Sequence, residues 1–144
     1  MAELEQEWLL MVDGAARGNP GPAGCGAMIC DEKGAVVKKL SRYLGHSTNN
    51  VAEYEALLMG LEALIELKCR KIVVQSDSQL LVRQLNGEYR VKDEKLKLLY
   101  QRATSLLRRF GSYRIVHVRR ELNKAADRLA NRGIDEAARS KIVG

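Results

Sequence analysis

Trp8 to Val12 is apolar throughout and runs straight into Asp13, after which Gly14–Pro22 is rich in glycine and proline. A strand with no polar side has no face to give to water, so it belongs inside a sheet covered on both faces. The sequence places the end of this strand at Asp13. A carboxylate there is costly to desolvate unless a cation or hydrogen-bond donors receive it. Asp-Gly is also a common turn opener, so the aspartate alone has two readings.

The flanking chain extends the pattern. Gly24–Cys30 and Ala35–Leu44 read as second and third strands, joined by Asp31-Glu32-Lys33-Gly34, a hairpin connection with glycine available for a positive φ. Over 50–67 the period changes, with Leu57, Leu58, Leu61, Leu64 and Ile65 at helical spacing. Lys71–Ser76 is a short β-branched run ending at Asp77. A short helix over 78–86 stops at Gly87. Asp93 caps a longer helix that Gly111 ends, Tyr113–Val118 forms a fifth strand, and a last helix starts near Asn123.

The expected fold class is α/β: a five-stranded mixed sheet, a three-strand antiparallel meander plus two crossover strands, flanked by helices. Crossovers that set the new strands beside the first gather the C-terminal ends of strands one and four, where open α/β sheets bind ligands.

The 144 residues suit a single domain, with a core over about 7–137 and 1–6 and 139–144 as possible flexible tails. No apolar run reaches the roughly 20 residues of a membrane span, and Met1–Glu7 lacks a signal-peptide layout, so a cytoplasmic location is expected; a monomer is also expected. Cys25, Cys30 and Cys69 are odd in number and form no CxxC pair, which argues against zinc and for buried free thiols, with one bridge left open. Net charge is +6, divided as −3 over residues 1–89 and +9 over 90–144. A basic half of this kind suits a polyanion, although charged helices are often solvated faces.

Two more carboxylates stand where apolar residues are expected. Glu53 is on or beside the apolar face of its helix, three and four residues before Ala56 and Leu57. Asp127 lies in the first turns of the last helix. Each acid has a local alternative: a capping box for Asn50-x-x-Glu53, an N-cap for Asp77, the helix dipole for Asp127. Gathered together they would repel one another strongly, and divalent cations relieve that repulsion. Oxygen-only ligands point to Mg²⁺ or Mn²⁺, and two such ions suit phosphodiester hydrolysis.

Asp13-Gly14-x-x-x-Gly18-Asn19-Pro20-Gly21, Thr48-Asn49-Asn50-x-x-Glu53, Ser76-Asp77-Ser78-Gln79 and Asn123-Lys124-x-Ala126-Asp127-x-Leu129-Ala130 occur in that order. Together they resemble type 1 ribonuclease H over about residues 7–137. The resemblance implies a ribonuclease H-like fold and metal-dependent endonucleolytic cleavage of the RNA strand of an RNA–DNA hybrid, leaving 5′-phosphate and 3′-hydroxyl ends. It implies that Asp13, Glu53, Asp77 and Asp127 hold two ions, Asp13 bridging both. Asp127 would serve the ion near the attacking water, and Glu53 and Asp77 the ion near the leaving oxygen. It further implies that Gly14 lets the backbone approach the RNA ribose and that Glu53 and Gln79 sense 2′-hydroxyls. Asn19, Asn49, Asn50 and Gln79 would contact substrate, and Thr48 a DNA phosphate.

Two departures from the family pattern stand out. Bacterial members often carry a basic, tryptophan-bearing protrusion between the second helix and the last strand. Here one helix, 94–110, fills that interval, which makes this the compact form and leaves Lys95, Lys97, Arg108 and Arg109 as candidate basic contacts. Many members also have a histidine in the loop before the last helix; Arg119-Arg120-Glu121-Leu122 has none. Arg119 or Arg120 could stabilise phosphate charge in its place, while His117 reads as part of the strand. Two other readings remain open: a hybrid- or RNA-binding module without catalysis, and a nuclease domain of a reverse transcriptase or transposase. The Met1 start favours an independent protein.

Overall fold

The computed structural model describes residues 6–143, with side chains through residue 140. Its elements are β1 (Trp8–Ala16), β2 (Gly21–Cys30), β3 (Val36–Ser47), α1 (Asn49–Glu66), β4 (Lys71–Ser76), α2 (Gln79–Leu85), α3 (Glu94–Leu107), β5 (Ser112–His117) and α4 (Lys124–Val143). The strands form one sheet in the order β3-β2-β1-β4-β5. β1 to β3 pair antiparallel, β4 runs parallel to β1, and β5 runs parallel to β4. This is the mixed sheet that the alternation of strand and helix periods predicts.

α1 packs against β1 and β2 and carries α3 on its outer side, while α4 lies across β1, β2 and β3 on the opposite face. Leu10 and Val12 are fully buried in the core with Leu57, Leu61, Leu64, Ile72 and Val74. The opposite side of β1 is less sealed, since Leu9 and Met11 are only half-buried. β1 is therefore not closed off on both faces as its apolar run suggests.

β1 also continues beyond Asp13. Gly14, Ala15 and Ala16 pair with Cys25, Gly24 and Ala23. The reversal comes at Arg17–Gly21, closed by the Arg17 N–H donating to the Pro22 carbonyl at 2.8 Å. Small residues on β2 prolong the ladder, so the aspartate sits inside the strand rather than at its end. At the other terminus α4 runs to Val143 and takes in most of the segment expected as a tail. Of the expected N-terminal tail, residues 1–5 lie outside the described residues. Among the described residues, no helix is long and apolar enough to cross a membrane. Between α2 and β5 there is α3 and no protrusion. The three cysteines are free thiols. Burial pushes Cys25 up to about 12 and Cys69 up to about 11, so both are poor nucleophiles at neutral pH.

Candidate active site

Four elements bring the acidic residues together, and glycines set how closely they approach. A Cβ on Gly14 would lie 2.4 Å from the Ala52 carbonyl carbon and the Glu53 nitrogen. The backbones of β1 and α1 therefore touch directly beside Glu53. Gly14 thus has an internal reason to be glycine, apart from any ribose. On the other face Gly26, the register partner of Asp13, would place a Cβ 2.5 Å from the Ala130 nitrogen and 2.6 Å from the Ala126 carbonyl oxygen. That contact beds α4 on β2 and brings Asp127 toward the strand carrying Asp13.

Capping roles fall to other residues. Thr48 Oγ1 accepts from the Val51 N–H at 3.2 Å and caps α1, so Asn50-x-x-Glu53 is not a capping box. Ser78 Oγ accepts from the Leu81 N–H at 3.2 Å and caps α2, which frees Asp77 from that job. Asp13 and Glu53 are 5% and 7% exposed. One carboxylate oxygen from each of Asp13, Glu53 and Asp77 lies within 4.8 Å of the others. Asp127 is outside that trio but lines the same cavity of about 350 Å³.

The electrostatics are severe. Burial, then the charges of Asp77 and Asp127, push Asp13 up to about 8. Burial and the charge of Asp13 raise Glu53 well above the usual carboxylate range. Glu53 Oε2 is buried with no hydrogen-bond partner. An orphaned carboxylate oxygen in an acidic cluster costs several kcal/mol unless a cation meets it. The donor set is all oxygen, with no histidine or cysteine in the trio, which fits Mg²⁺ or Mn²⁺.

Gly14, Asn49, Asn50 and Arg120 line the cavity. Ser78 lines it too, a residue the sequence reading quotes in a motif without giving it a role. Asn19, Thr48, Gln79 and Arg119 are not part of that lining. Asn19 Oδ1 accepts from the Asn49 N–H at 3.1 Å, and Asn49 Oδ1 accepts from the Ala16 N–H at 2.9 Å. The two asparagines therefore tie the β1–β2 turn to the start of α1. Gln79 is exposed on the first turn of α2. Arg119 pairs with Glu121 at 3.4 Å. His117 is exposed at the end of β5, its Nε2 3.3 Å from the Asp77 carbonyl oxygen.

A larger cavity of about 840 Å³ runs along α3, lined by Lys95, Leu98, Arg102 and Arg109 among others, and holds none of the four acids. Lys97, outside that lining, pairs with Glu94 on the same helix at 3.3 Å. Three residues that sequence reasoning gives no role frame the site. Asn123 is fully buried between β1 and α4, and Asn131 and Arg17 stand behind Asp127. Spacing alone offers no signal for them, because each acts through a contact distant in sequence or through one partner on its own helix.

The family model described as "Reverse transcriptase-like" matches residues 11–133. Ribonuclease HI of Halobacterium salinarum is 42% identical over 87% of this chain, which spans 63% of that relative's length. Ribonuclease H of Coxiella burnetii is 33% identical, with 99% of each chain covered. The crystal structure of LC11-RNase H1 in complex with an RNA/DNA hybrid has a TM-score of 0.86 at 43% identity, covering 91% of this chain and 99% of that one. With the sheet order that the sequence pattern predicts and relatives matched over nearly the whole chain, the chain belongs to the type 1 ribonuclease H family, in its compact form.

Proposed function

We propose that this chain is a divalent-metal-dependent endoribonuclease that hydrolyses the RNA strand of RNA–DNA hybrids, leaving 5′-phosphate and 3′-hydroxyl ends. The observation that carries the reading is the trio of Asp13, Glu53 and Asp77, with carboxylate oxygens within 4.8 Å of one another and Glu53 Oε2 buried without a hydrogen-bond partner. A domain that only binds nucleic acid has no use for that cost. The hybrid bound by LC11-RNase H1 supports the substrate class.

Asp13, Glu53, Asp77 and Asp127 are the residues that would hold Mg²⁺ or Mn²⁺, two ions in the full reading. Bound there, such ions supply a nucleophilic water at neutral pH and stabilise charge on the phosphate and the departing 3′-oxygen. The chain's own groups do the rest. Gly14, Asn49 and Asn50 present a polar wall to the substrate, and Asn19, Thr48 and Gln79 continue it outside the cavity. Arg120 at the cavity rim places positive charge where a scissile phosphate would sit. The basic excess of residues 90–144 attracts the backbone. The protein is proposed to act as a cytoplasmic monomer.

Cleavage of a hybrid labelled separately on each strand, beside DNA and RNA duplexes, with Mg²⁺, with Mn²⁺ and with EDTA, tests this. The expected result is cutting of the RNA strand of the hybrid alone, abolished by EDTA. Binding without cleavage under every metal condition would replace it with a hybrid-binding module.

A further inference from the structure

Asp127 reaches the site from α4 without belonging to the tight acidic trio, and its placement has a visible frame. Asn131, one turn further along α4, donates from Nδ2 to the Asp127 carbonyl at 3.1 Å and to Asp127 Oδ1 at 3.3 Å. The other end of the same amide, Oδ1, accepts from an Arg17 guanidinium nitrogen at 3.2 Å. That nitrogen also pairs with Asp135 Oδ1 at 2.8 Å, which fixes the guanidinium between two residues of α4.

The chemistry of these groups removes any freedom in how the amide points. A guanidinium is donor-only, so Asn131 must turn its oxygen to Arg17, and its NH₂ is then forced toward Asp127. A carboxylate held by an amide donor keeps one orientation, whereas an unrestrained one on a half-exposed helix turn rotates freely. Arg17 itself lies just past the end of β1, in the turn that carries Asn19. The turn and α4 are thereby locked at the point where Asp127 enters the cavity.

We infer that Asn131 is a positioning residue that holds the Asp127 carboxylate toward the metal-binding cluster, and that Arg17 sets the orientation of the Asn131 amide. This rests on the metal-site reading above. The role concerns affinity for the ion rather than contact with nucleic acid, and it can be measured with no substrate present.

The test is Mn²⁺ binding to the full chain by calorimetry, with thermal unfolding of the same samples in EDTA. Asn131→Leu is expected to weaken Mn²⁺ binding by about tenfold, with Asn131→Ala following it. Arg17→Met is expected to weaken it by less, and the Asn131→Leu/Arg17→Met pair no more than Asn131→Leu alone. A purely structural asparagine would lower the unfolding temperature and leave Mn²⁺ affinity where it was. That outcome, or full additivity of the pair, overturns the inference while Asp13→Asn still abolishes Mn²⁺ binding. If the unaltered chain binds no Mn²⁺, or Asp13→Asn binds it equally well, the metal-site reading fails and takes this inference with it.

Discussion

The side-chain amide of Asn123 donates to the Val12 carbonyl at 2.9 Å, joining the residue before Asp13 to the residue before α4. Asn123 is fully buried, and its own carbonyl accepts the Asp127 N–H at 3.1 Å. One residue therefore spans the strand and the helix that carry two of the four acids. Replacing it leaves a buried carbonyl unpaired, a loss of about 1–3 kcal/mol. Asn123→Ala should lower unfolding free energy by that amount in urea titration and reduce hybrid cleavage as well. A change below about 0.5 kcal/mol would mean that the bond does not hold the junction.

Gly26 should tolerate no side chain. Its Cβ would meet backbone atoms of α4 at 2.5 and 2.6 Å, and backbone cannot swing aside as a side-chain tip can. Gly26→Ala is expected to cost about 2 kcal/mol or more in denaturant unfolding, through overpacking. Cleavage should fall further than stability, because the displaced helix carries Asp127.

The metal-free protein should have an inverted acid dependence. Asp13 is pushed up to about 8, and Glu53 is raised in the same direction, against about 4 in an unfolded chain. The folded state therefore holds these protons more tightly. The stability they contribute is fully present below about pH 4 and is lost as pH rises through about 8. In EDTA, Asp13→Asn should flatten that fall and be more stable than the unaltered chain at pH 8, by on the order of 2 kcal/mol. Thermal unfolding of the pair across pH 4–9 checks this; an unaltered chain that gains on the variant as pH rises would contradict it.

The two arginines before α4 should separate. Arg120 lines the carboxylate cavity, whereas Arg119 is turned to Glu121 at 3.4 Å. In single-turnover cleavage Arg120→Ala is expected to be slower by about tenfold or more, and Arg119→Ala to stay within about twofold. Equal rates for both variants would remove Arg120 from the chemistry.

How far these features can be read without coordinates depends on the range of the forces that make them. The continuous apolar run at Trp8–Val12, the β-branched run at Lys71–Ser76 and the 3.6-period leucines of α1 mark buried segments, so the sheet and its crossovers are legible. The end of β1 is not, because Gly14–Ala16 look like turn residues until β2 offers Ala23–Cys25 as partners. The competition between Asn50 and Thr48, or Asp77 and Ser78, for a helix cap is decided by one or two residues of register, which propensity does not resolve. Arg17, Asn123 and Asn131 escape notice because their work is done through hydrogen bonds, two of them across 111 and 114 residues of sequence. Composition marks the acids as costly; only the fold shows what keeps them in place.

The most direct measurement compares the unaltered chain with Asp13→Asn on a strand-labelled RNA–DNA hybrid in Mg²⁺, with hybrid affinity measured alongside. Asp13 lies within 4.8 Å of both partner acids, and its substitution removes one charge without adding volume. The account predicts that RNA-strand cleavage drops by about a thousandfold or more while hybrid affinity changes by less than about tenfold. Cleavage persisting in Asp13→Asn within about tenfold of the unaltered rate would contradict it.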